Sequence, residues 1–248
     1  MGKEDSLTIY WAPFQSFEVE NAGEWNMLYP EPQSLMSDLM SIKSPERGTQ
    51  HFFSCPASSD YFKKTFVFYN GLESSYEYDL TDSTNPIVNP KSDGFLGWGV
   101  ERPPTLVGRP QFTLNLRYIF FSEESVEITT SSPHFHKPEY TQYGACAPGK
   151  MDIGQWFRPY SMELQLWRTK GVLHIKENEP LFYVNVNTDR PVKLQKFHMN
   201  AALSALSQHC VKSPFWQGSN LPLAQRYQAF SRSKTGSIVL KEIKKNLL

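Results

Sequence analysis

Four side chains stand at spacings that could hold a metal ion. His134, His136 and Glu139 fall close together, and His174 follows in a separate strand-like run. Two imidazoles and a carboxylate from one hairpin, with a third imidazole from a later strand, are the ligand set of cupin-like oxygenases and isomerases. Such a set suits Fe(II) or Mn(II) with positions left open for substrate. The later run, Gly171-Val-Leu-His174-Ile-Lys-Glu-Asn178, reproduces the G-x2-H-x3-N spacing of the second cupin segment in part. The earlier run departs from the pattern, because only two residues separate His136 from Glu139 where three or four are needed. Losing one residue turns a strand side chain to the opposite face, and Pro138 argues against a regular strand there. The competing and commoner origin of these residues is a pair of surface loop histidines and a histidine on the polar face of a strand.

Other chemistry is weaker. The chain has no GxSxG elbow, no P-loop and no GxGxxG; Gly94, Gly97 and Gly99 lack the strand before and helix after that such a loop requires. Cys210 follows His209 directly, and adjacent helix residues point about 100° apart. Cys146 lies in a loop among small residues, where a tight turn explains it as well as reactivity does. Glu123 with Glu124, and Glu177 with Glu179, are carboxylate pairs on a turn and a strand; a polar outer face accounts for both more simply than a glycosidase pair. Trp98, Tyr140, Tyr143, Trp156 and Trp216 sit in or beside turn regions, where aromatics serve protein interfaces or carbohydrate platforms. The same residues could equally fill the core of a large β domain.

The elements that must position these groups are mainly strands. Trp156 to His198 reads as three or four consecutive strands: Met162, Leu164 and Leu166 alternate with polar residues, Thr169-Lys170-Gly171 turns, and Leu181 to Val186 resumes the alternation. Phe112 to Phe121 is a long strand, with Val126 to Thr130 expected as its hairpin return. Lys64 to Tyr69, Tyr76 to Leu80 and Leu7 to Trp11 are further strands. Gln33 to Ile42 carries a short apolar stripe, and Asn200–Val211, Leu221–Phe230 and Ser237–Leu248 show helical spacing. This pattern predicts an α+β chain that is mainly β: an antiparallel β-sandwich or jelly-roll-like core, a short N-terminal helix and a helical C-terminal cap. Residues 1–64 are expected as an arm packing on the core, and residues 65–248 as the core (65–199) with its C-terminal helices (200–248), in one domain overall.

Composition agrees. At 248 residues the chain buries enough surface to need no disulfide or metal, and its 14% aromatic content suits pleated surfaces. Twenty-five basic residues balance 25 acidic ones, and KEIKK at the C-terminus is the one basic run, so nucleic acid is not an expected partner. Three scattered cysteines argue against a disulfide framework or zinc ribbon. No apolar run approaches a membrane span, the N-terminus lacks a signal-peptide core, and the MGxxxS start is a short pattern that arises readily by chance.

Several segments together carry a resemblance: IYWAPF at Ile9–Phe14, FSCPA at Phe53–Ala57, SPHFHKPEY at Ser132–Tyr140, FRPYSMELQLW at Phe157–Trp167, IKENEPLFYVNVNT at Ile175–Thr188 and SIVLKEIKKNLL at Ser237–Leu248. The chain resembles, over essentially its whole length, an uncharacterised protein family of marine T-even-like cyanophages. The resemblance implies a phage-encoded protein in the host bacterial cytoplasm or in the virion, and it supplies no reaction and no catalytic residue. The expected function is a non-catalytic binding or virion assembly protein with a protein partner or self-association and no cofactor. The alternative is the Fe- or Mn-dependent cupin-like enzyme.

Overall fold

A computed structural model describes residues 6–13, 29–42, 52–82, 85, 87–90, 97–101, 111–211 and 222–248; at 52, 97–101, 115–117, 209, 211 and 223 only the backbone is described. Among these residues the strands form three sheets. The six-stranded sheet holds β1 (Leu7–Pro13), β6 (Gly97–Glu101), β7 (Gln111–Ser122), β9 (Gly144–Cys146), β11 (Pro159–Leu166) and β14 (Val192–Lys196), in the order β14-β1-β7-β11-β9. β7 is long enough to take two neighbours on one side, β6 along its first half and β1 along its second. The five-stranded sheet runs β10 (Gly149–Asp152), β8 (Glu127–Ser131), β13 (Pro180–Val186), β3 (Thr65–Tyr69), β2 (Gln33–Ser34). A small third sheet is β12 (Lys170–Ile175), β4 (Ser74–Asp79), β5 (Ile87–Pro90). All pairings are antiparallel except that of β1 with β14.

The fold is α+β and mainly β, a sandwich as the alternation predicts. The core lies between the sheets and is aromatic. Phe68 of β3 stacks on Phe182 of β13 at 5.3 Å and meets Trp11 of β1 edge-on at 6.0 Å. Offset and edge-on ring pairs are the favoured arrangements for such quadrupoles.

Both outer faces carry helices, which gives four layers. On the outer face of the six-stranded sheet, Tyr10, Ala12, Ile119 and Phe121 pack under α3 (Ala201–Val211), α4 (Leu223–Arg232) and α5 (Thr235–Lys245). On the outer face of the five-stranded sheet, Val67 and Tyr183 pack under α1 (Leu35–Ser41) and α2 (Pro56–Lys64). α1 begins where the Ser34 hydroxyl accepts the Ser37 amide at 3.2 Å, an N-cap. α2 begins with Pro56 in its first turn and ends on Lys63 and Lys64, which suit the negative end of the helix dipole.

Two expectations need correction. The N-terminal segment is no arm: β1 lies inside the six-stranded sheet, with Leu7, Ile9 and Trp11 in one core and Tyr10 and Ala12 in the other. β7 and β8 are no hairpin, because β8 crosses to the five-stranded sheet. The four strands β11 to β14 belong in turn to the six-, three-, five- and six-stranded sheets, and none pairs with the next. No helix among the described residues is long and apolar enough to cross a membrane.

Candidate binding groove

The four metal candidates have separate partners. The loop holding His134 and His136 follows β8 and lies over the outer face of β13. Asp38 of α1 can only accept, so His136 donates Nε2–H to its carboxylate, and the Nδ1 of the same ring bonds the Tyr183 hydroxyl at 2.6 Å. The Phe135 amide donates to the same Tyr183 oxygen at 3.2 Å, and the Tyr69 hydroxyl donates to the other oxygen of Asp38. Burial pushes the Asp38 carboxyl up, but the bonds from His136 and Tyr69 more than reverse this and hold it below the usual value. Burial and the Asp38 charge both raise the Tyr69 hydroxyl. His134 turns its Nδ1 to the Ser132 carbonyl at 3.0 Å. Glu139 pairs with Lys176 at 3.0 Å, and His174 with Glu73 at 2.9 Å. Among the described residues no three His, Cys, Asp or Glu side chains gather as metal ligands would.

The aromatic candidates divide. Tyr140 is fully buried and its hydroxyl donates to the Leu181 carbonyl; Trp156 is 4% exposed. Both are core residues, correcting their placement at an exposed interface: a short 3-10 turn and the helical layer fold over them. Tyr143 is half-buried against the core. Trp98 lies on β6 opposite Leu114, with only its backbone described, and Trp216 lies outside the described residues.

The remaining ionisable candidates are structural. Glu179 accepts the Glu139 amide at 2.8 Å and the Lys176 amide at 2.9 Å, which clasps two turns together. Glu123 and Glu124 pair with Lys244 and Arg190 on the surface. Cys146 and Cys210 are buried, and burial pushes both thiols up to about 11.

What the sequence reading missed is a groove of about 610 Å³ on the side of the sandwich where the chain passes from β9 to β10. One wall is β10, all four of whose residues line it; the other is the start of β11 with Arg158, and Tyr227 of α4 overhangs one end. Among the described residues the helices pack on the second half of β7, and the groove lies beside its first half. The outward residues of β7 are apolar at Ile119 and Phe121, which pack under the helices, but polar at Gln111 and Thr113, and Thr113 lines the groove. β9 likewise pairs with only residues 164–166 of β11.

Most charges at the groove are already engaged. Lys150 pairs with Glu127 at 2.6 Å, the Gln111 side chain donates to Glu163, and Asp152 accepts the Gly154 amide at 2.9 Å and the Ser125 hydroxyl. Arg158 is the exception. It is exposed, has no ion pair among the described residues, and holds its guanidinium 5.7 Å from the Trp156 ring. Trp156 in turn stacks on Tyr227 at 4.0 Å, so the cation rests on a fixed aromatic pair. The local signal for this site was the change from polar to apolar outward residues along β7, which a strand reading records but does not turn into a cleft. Comparisons with protein-family models, curated proteins and solved structures each find no match.

Proposed function

We propose that the chain is a non-catalytic binding protein and that the groove between β10 and β11 receives its partner. The observation that carries this reading is the combination of an open polar cleft with a cation at its wall, Arg158, that has no ion pair among the described residues. Around it the carboxylates and Lys150 are tied into structural contacts, so the groove offers recognition chemistry: a guanidinium, the Thr113 side chain, and the apolar faces of Pro148 and Met151. The His136 network supports the same reading, since its Tyr183 end is fully buried beneath α1 and α2 and works as a clasp. The resemblance to a cyanophage family makes virion assembly, or a host protein met during infection, the setting of that binding.

A photo-crosslinking residue in place of Met151, compared with one in place of the exposed Ile238 on α5, tests the reading in native host cells. The expected result is one dominant adduct from position 151 and none from 238. Equal labelling from both positions, or one iron or manganese per chain that disappears in His174→Ala, would overturn it.

A further inference from the structure

The groove exposes the backbone of a terminal strand. Among the described residues β10 is the last strand of the five-stranded sheet and pairs only with β8. Its odd positions face β8: the Gly149 amide and carbonyl meet the Thr130 hydroxyl at 3.2 and 3.4 Å, and the Ile153 amide donates to the Val126 carbonyl at 3.0 Å. Along an antiparallel strand the backbone groups alternate sides. The N–H and C=O groups of Lys150 and Asp152 therefore point away from β8, into the groove. An edge of this kind is a template for another strand.

Resting on the binding reading above, we infer that the groove's partner is an extended peptide segment of another protein, which adds to the five-stranded sheet alongside β10 and sets an acidic side chain against Arg158. Two features on the wall single out this occupant. The outward amides and carbonyls of β10 repeat at the spacing of a strand, and main-chain pairing of this sort gives affinity while side-chain pockets give specificity. Arg158 supplies the charge that selects, since a planar guanidinium fixed over an aromatic ring favours a carboxylate presented in two-point geometry. A glycan would use the hydroxyls and the Tyr227 edge but would leave the alternating backbone groups of β10 without a matching partner.

The test starts from a random dodecapeptide library displayed on yeast, selected against the full-length protein and counter-selected against Arg158→Glu. Enriched sequences are expected to share an Asp or Glu within a run of β-forming residues. The synthesised peptide should slow hydrogen exchange at the Lys150 and Asp152 amides. Lys150→Pro removes one outward N–H without touching the β8 pairing, and should weaken the peptide about tenfold. Ile238→Ala, on the exposed side of α5 and outside the groove, should leave the peptide affinity unchanged. Should Lys150→Pro lower the melting temperature, Arg158→Glu carries the same test: about tenfold weaker binding, restored by a peptide with Lys in place of its acidic residue. Failure to enrich any peptide, or a peptide that binds without protecting those two amides, overturns strand addition. If Met151 crosslinks persist in that case, the groove still binds a partner of another class; if they are absent too, the binding reading falls with it.

Discussion

The contacts around Asp38 turn a surface helix into part of the core. α1 is short and buries only Leu35 fully, so propensity alone would leave it marginal. The Asp38 carboxylate, receiving His136 and Tyr69, anchors it to the loop after β8 and to β3. Because the folded carboxyl is held below its usual value of 3.8, its contribution is fully present above that pH and is lost as pH falls through the lower folded value. Asp38→Asn should therefore cost about 1.5–3 kcal/mol near neutral pH, and the gap between the two proteins should narrow as pH falls below 3.8. Urea unfolding at pH 7 and pH 3 reads this directly, and an equal gap at both would remove the charge from the account. The cysteines offer a second residue-scale outcome. Cys55 is exposed at the start of α2, where the Ser58 amide and hydroxyl and the Ala57 amide favour its thiolate, whereas burial holds the other two thiols up at about 11. One thiol per chain should react quickly with an alkylating reagent at pH 8, none in Cys55→Ser, and all three only in denaturant. The His134–His136 segment was legible as a place of interest, but its partners were not. Asp38 lies far away in sequence, and no spacing rule connects a short helix to a loop almost a hundred residues later.

At the scale of elements, strands were readable because period-two alternation is local, and pairings were not because they depend on distant segments. Met162, Leu164 and Leu166 face the core as their alternation predicts, yet the strand that follows at Lys170 joins a different sheet. The same holds at Ser122–Ser125, where the turn residues indicate a reversal but the chain changes layer. α2 escaped notice for a compositional reason: in PASSDYFKK only Phe62 is buried, so no apolar stripe exists to detect. Strand contacts nonetheless set sharp local demands. A Cβ on Gly144 of β9 would stand 2.5 Å from the Gln165 carbonyl oxygen and 3.2 Å from the Leu166 Cα, both backbone atoms that cannot rotate away. Gly144→Ala should force β9 off β11 and cost about 1–3 kcal/mol, read as a shift in the urea midpoint. A variant as stable as the parent would mean that β9 shifts on β11 without cost.

For the whole molecule, four layers make the helical segments structural rather than ornamental. Leu203, Phe230, Val239 and Ile243 bury themselves on the six-stranded sheet, and at about 1.5–3 kcal/mol for each large apolar side chain they contribute about 6–12 kcal/mol. That equals the net stability of a typical domain, about 5–15 kcal/mol. The C-terminus also closes the sheet's edge, since Phe197 bridges Leu247 and the Leu248 amide donates to the Lys196 carbonyl at 3.2 Å. Residues 1–199 alone should therefore expose Tyr10, Ala12, Ile119 and Phe121 as one apolar face, together with the open edge of β14. The truncated chain is expected to bind a hydrophobic dye and to elute as aggregate in size-exclusion chromatography, while the full chain does neither. A monomeric fragment with the parent's melting temperature would show that the sandwich is complete without its outer helices. The polar half of that sheet's outer face would then be no exception needing a partner, and the groove would lose the asymmetry on which its reading as a binding site depends.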